Sequence, residues 1–130
     1  MDREEGLKEL TKQDRLSHIF ELQSAFDNEI IKKRGLEQIS REEWLQKETL
    51  AMISELSELL DEVNFKWWKN PKPINEDAVK EELIDILHFF VSMCLKAGLT
   101  PEELYERYKK KNQENFDRQA GLSKKKGYSF

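Results

Sequence analysis

The chain has 130 residues, 38% apolar and 37% charged, with a formal net charge of −4. That length supports one domain around one core, and the apolar share excludes an intrinsically disordered chain. A lone Cys94 excludes an internal disulfide and a thiolate zinc cluster. No apolar run is long enough to span a bilayer and no leader-like segment opens the chain, so a cytoplasmic protein without membrane contact is expected.

Residues 1–13 are polar, lack a helical period and read as a separate N-terminal segment; 14–130 read as a single all-α domain. From Asp14 to about Lys33, the apolar positions Leu16, Ile19, Phe20, Phe26, Ile30 and Ile31 recur at helical spacing, and Gly35 is a natural stop. Gln23 and Asp27 fall on or beside that stripe. Polar groups on an inward face need partners, and a helix–helix hydrogen bond and a ligand contact are equally open. Ser40-Arg41-Glu42-Glu43 is a capping box that opens a second helix, running through Trp44, Met52, Leu56 and Leu60 to Val63. Glu48, Glu55, Glu58 and Glu62 share one side of it. Glu48 and Glu62 read as a solvated acidic face, whereas Glu55 and Glu58 are tightly flanked by Leu56, Leu59 and Leu60.

Phe65, Trp67, Trp68, Pro71 and Pro73 end that helix. Adjacent tryptophans cannot both face one core, so one packs and the other covers something else, such as a base or a second subunit. Asn75 caps a third helix that runs to about Gly98. From Leu83 to Leu95 this helix is apolar almost all round, the profile of a central element buried on most sides. It nevertheless carries Glu82, Asp85 and His88, and charges at such depth must be paired, neutralised or bound to metal. Cys94 on the same helix reads as a buried structural thiol. Thr100-Pro101-Glu102-Glu103 opens a fourth helix with Leu104, Tyr105 and Tyr108 on its inner face. Val and Thr are scarce and nothing alternates, so no strand is expected.

Residues 107–126 hold eight Lys and Arg against Glu114 and Asp117, a local balance of +6 that leaves −10 for the rest. Such an end can be a solvated surface, a nucleic-acid contact, or a set of cations over a ligand's phosphates.

Residues at i and i+3 point the same way on a helix, so Glu55 with Glu58 and Glu82 with Asp85 can offer four carboxylates to the space between neighbouring helices. An all-oxygen site with no cysteine nearby suits Mg2+, and four carboxylates suit two or more ions bridging a polyphosphate. No glycine-rich phosphate loop is present, and Asp85-x-x-His88 occurs only once, against the Glu-x-x-His pairs of a di-iron bundle. On these grounds a metal site and a salt-bridged helical bundle both stand.

Glu55-x-x-Glu58 followed by Glu82-x-x-Asp85 resembles the all-α nucleoside triphosphate pyrophosphatase (MazG-like) superfamily, and within it the dimeric dUTPases. Leu22-Gln23-Ser24-Ala25-Phe26-Asp27 is similar to that family's early motif. Trp67 and His88 sit where it keeps base- and nucleoside-contacting residues. Lys111-Asn112-x-x-Asn115-x-x-Arg118-Gln119 is similar to its late motif, and Gly127-Tyr128 to the pair that follows. The resemblance implies a bundle of four to five helices completed by homodimerisation. It implies Mg2+, two or more ions per site, on Glu55, Glu58, Glu82 and Asp85, one of which orients the attacking water. It implies hydrolysis of dUTP, with dUDP as a second candidate, to dUMP. Gln23, Asp27, Trp67, His88 and Asn112 or Asn115 would surround the nucleoside, Lys111 and Arg118 would neutralise phosphates, and Trp68 would serve the dimer interface. Asp27 and Ser24 depart from the family's usual residues. A related pyrophosphatase acting on dCTP or a damaged nucleotide is the first alternative; a non-catalytic helical interaction protein is the second. Binding to nucleic acid is not expected.

Overall fold

The computed structural model describes residues 14–122. The polar segment 1–13, the lysines 124–126 and the Gly127-Tyr128 pair lie outside them. The described residues form four helices and no strand: α1 Arg15–Arg34, α2 Arg41–Glu62, α3 Glu76–Lys96 and α4 Pro101–Gln119. The all-α expectation holds.

Each start is set by a side chain that satisfies an otherwise unpaired backbone N–H. Asp14 accepts from the Ser17 amide at 2.9 Å, Ser40 from Glu43 at 3.2 Å, Asn75 from Ala78 at 3.1 Å and Thr100 from Glu103 at 3.1 Å. Gly35, at φ 63°, closes α1 in the left-handed conformation and returns its N–H to the Ile31 carbonyl.

The chain divides after Gly98 into two compact units. In the first, α3 is the hub and packs on α2 and α1. Gln23 meets His88 and Asp27 meets Ser92, so α1 and α3 run parallel; Glu48 meets Lys96, so α2 and α3 run antiparallel. Arg41 fixes the second pairing at one end. Its Nε donates to the Lys96 carbonyl at 2.8 Å and its Nη2 to that of Ala97 at 3.3 Å, satisfying carbonyls that the end of α3 leaves free. The loop from α2 to α3 is closed by Asn64 (φ 57°), whose side-chain amide exchanges two hydrogen bonds with the Lys72 backbone.

The expectation that α3 is buried on most sides is corrected. Val91, Ser92 and Cys94 are buried, and burial pushes the Cys94 thiol up from its usual range, as a structural thiol requires. Leu83, Ile84, Leu87 and Phe90 are exposed. Two neighbouring helices cover only part of a helix's circumference, and the remaining apolar face of α3 is left open. Leu22 and Phe26 of α1 and Leu56 and Leu60 of α2 are exposed as well.

The second unit contains α4. It carries an Arg107–Glu103 ion pair at 2.9 Å, one turn apart. Tyr105 and Tyr108 are exposed instead of lying on an inner face, because a single helix offers no second element to cover them within its unit. No single described helix is long and apolar enough to cross a membrane.

Candidate active site

The antiparallel register of α2 and α3 brings the two acidic pairs together. One carboxylate oxygen from each of Glu55, Glu82 and Asp85 lies within 4.8 Å of the others, and all three side chains are half-buried. The Oε2 atoms of Glu55 and Glu82 are buried with no hydrogen-bond donor. Among the described residues no ion pair reaches Glu55, Glu58, Glu82 or Asp85, so the salt-bridged reading has no cation to rest on there.

Loss of hydration raises the Glu55 carboxyl to about 7; hydrogen bonding to Glu82 and Glu58, then repulsion from Glu58 and Asp85, add to the shift. Burial likewise raises Glu82, with the charges of Glu58 and Asp85 adding to it. Crowded carboxylates that lack a cation retain a proton in its place. The donor set is all oxygen and two of its buried atoms lack a donor, which fits a hard divalent cation such as Mg2+. Glu58 stands beside Glu55 but is itself exposed, so it joins the cluster from the solvent side.

Glu55 and Asp85 also border a cavity of about 590 Å³ between α1, α2 and α3. Gln23, Asp27 and His88 line it, and one chain of hydrogen bonds joins them. A carboxylate only accepts, so the Gln23 Nε2 amide faces Asp27 Oδ1 at 2.9 Å. Gln23 Oε1 therefore faces His88 Nδ1 at 2.7 Å, which makes Nδ1 the protonated ring nitrogen.

The sequence reading missed the other end of this cavity. Glu48 lies at 7% exposure and not on a solvated acidic face, because α1 and the end of α3 close over its part of α2. Its Oε1 accepts from Lys96 Nζ and from Ser92 Oγ, both at 2.5 Å. Ser92 Oγ also faces Asp27 Oδ2 at 2.6 Å, and Lys96 Nζ sits 4.5 Å from the centre of the Trp44 ring. The signal that could have found Glu48 is its place two turns before Glu55, on the same side of α2.

Trp67 is not among the residues lining the cavity. It is 85% exposed on the loop after α2 and stacks edge-on against Trp68 at 5.7 Å. Lys111, Asn112, Asn115 and Arg118 all belong to α4 in the second unit. Lys111, Asn115 and Arg118 follow the four-and-three spacing of one helix face. The first three of the four are exposed, and Arg118 Nε lies 3.9 Å from Glu114.

A family model described as dUTPase matches residues 15–100. Two curated relatives are dCTP pyrophosphatases of bacteriophages. That of Enterobacteria phage LZ5 is 34% identical over 74 residues, 57% of this chain and 43% of that protein. That of Enterobacteria phage T4 is 31% identical over 87 residues, 56% of this chain and 51% of that protein. The chain thus spans about half the length of the curated relatives it matches. No solved structure matches it.

Proposed function

The chain belongs to this dUTPase family, and from that premise we propose that it hydrolyses a pyrimidine deoxynucleoside triphosphate to the monophosphate and pyrophosphate with Mg2+. The observation that carries the proposal is the cluster of Glu55, Glu82 and Asp85, without a protein cation, at the border of a nucleoside-sized cavity. The family's description favours dUTP and the names of the two phage relatives favour dCTP; dUDP is a second substrate in this reading.

In this reading Glu55, Glu82 and Asp85, joined by Glu58, hold Mg2+, two or more ions serving each site. Bound Mg2+ would supply charge neutralisation at the phosphates and acidify a coordinated water. The protein's part is to position and to move protons. Glu55, raised to about 7, would have to release its proton to serve as a ligand, so near neutral pH the cluster could hold either a proton or the cation. One of the cluster's carboxylates orients the attacking water. Gln23 and Asp27, locked by the hydrogen bond from His88, form a rigid wall for the nucleoside. The open apolar face of α3 is taken to pair with a second copy.

Pyrophosphate release from a panel of deoxynucleoside triphosphates, with Mg2+ and with chelator, tests the proposal. Mg2+-dependent release confined to pyrimidines supports it. No release from any nucleotide sinks it and returns the four carboxylates to a structural role.

A further inference from the structure

The end of the cavity away from the carboxylate cluster holds a charged group of which the reaction above uses only Asp27. Asp27, Glu48, Ser92 and Lys96 come from three helices and meet at its floor. Their hydrogens can be counted. Ser92 has one, and both of its carboxylate neighbours compete for it. Lys96 has three, facing Glu48 Oε1, Ser92 Oγ at 2.8 Å and Asp27 Oδ2 at 3.5 Å. Gln23 spends one of its two amide hydrogens on Asp27. Every donor of the group is directed inward, and one atom remains: Glu48 Oε2, buried and without a donor. The two carboxylates outnumber the one ammonium, so the group, whose residues line the cavity, keeps one surplus acceptor.

A buried carboxylate oxygen with no donor is costly, and such an atom in a native protein calls for an explanation. Glu48 stands seven residues before Glu55 on the same side of α2, about 10 Å along the helix. That separation is on the scale of a deoxynucleoside, so a ligand whose phosphates reach the carboxylate cluster brings the far edge of its base to the floor.

We infer that Glu48 selects the base, accepting a hydrogen bond from the exocyclic amine of cytosine through Oε2 and thereby favouring dCTP over dUTP. Uracil carries a carbonyl oxygen where cytosine carries its amine. Against Glu48 that oxygen would set acceptor against acceptor, and Lys96 has no hydrogen left to offer it. The inference rests on the proposed pyrimidine triphosphate reading and refines it.

The test uses the full chain with Mg2+ and compares kcat/KM for dCTP, dUTP and the triphosphate of a deoxycytidine analogue whose 4-amino group is replaced by hydrogen. The expected result is a preference for dCTP of about ten- to a hundredfold over both others, the scale of one buried acceptor left unpaired. Glu48→Gln, which can turn an amide donor toward the uracil carbonyl, should bring the dCTP/dUTP ratio down by about the same factor. Equal rates on dCTP and on the analogue in the unsubstituted protein overturn the inference, even if Glu48→Gln fails to fold, and leave the pyrophosphatase reading in place. A ratio unchanged in a folded Glu48→Gln variant also overturns it, reducing Glu48 to a helix-packing role. Calorimetry with dCMP and dUMP separates the two readings. Tighter binding of dCMP without release from any triphosphate supports the base-selecting role and sinks the hydrolysis; equal binding overturns the base-selecting role.

Discussion

Glu55 illustrates how a single residue links chemistry to stability. Its carboxyl is raised to about 7 because hydration is lost and other carboxylates crowd it. In the unfolded chain it would titrate near 4.5. Between those values the folded state holds a proton that the unfolded state has lost. Its contribution is therefore fully present below pH 4.5 and fades as pH rises through about 7. Melting of the protein in chelator should fall across that window, and saturating Mg2+ should restore most of the loss above pH 7; a flat profile in chelator would contradict the crowding described here. Glu55→Gln should lower Mg2+-dependent pyrophosphate release by at least about a hundredfold, some 2.7 kcal/mol of barrier. The same substitution should leave the chelated protein at pH 8 as stable as before, or more so, because it removes a crowded charge.

At the scale of elements, most of the fold was legible. Three helix starts lie where Ser40, Asn75 and Thr100 were expected to cap, because capping is local chemistry within a few residues of sequence; the first, capped by Asp14, was read from its apolar period alone. Glu55, Glu82 and Asp85 were legible too, since three-residue spacing fixes a shared direction on a helix. Glu48 was not. In sequence it continues a run of surface-like glutamates, and only the approach of Lys96, 48 positions later, makes it a buried partner. Lys96 itself reads as an ordinary cation at a helix C-terminus. The open face of α3 escaped for the opposite reason: a sequence shows that a face is apolar, not what covers it. Gly35 gives a direct check at this scale. At φ 63° and with no atom within 4 Å of an added Cβ, Gly35→Ala meets no clash, only an unfavourable backbone conformation. Chemical denaturation should show a loss of about 1 kcal/mol.

At the scale of the whole molecule, the apolar interior is thin. Among the described residues only Phe20, Val91 and Cys94 are buried apolar side chains, while Leu83, Ile84, Leu87 and Phe90 form an exposed stripe on the hub helix. A stripe of that kind on the central helix is unusual unless something covers it. A homodimer is the expected state, and sedimentation should find it at micromolar concentration. Leu87→Asp, placing a charge in the middle of the stripe, should shift the protein to monomer and lower its melting temperature; a monomeric parent protein would rule out the pairing.

Arg41 lies outside the chemistry, yet its grip on the end of α3 has a metric consequence. By locking the register of two antiparallel helices, it fixes which turn of α2 faces which turn of α3, and with it the gap across which Glu55 meets Glu82 and Asp85, as the jaws of a calliper hold a set gap. A slip of one helical turn between α2 and α3 would part the two acidic pairs by about 5 Å, so this clasp, at the far end of α2 from the carboxylates, decides whether they meet at all.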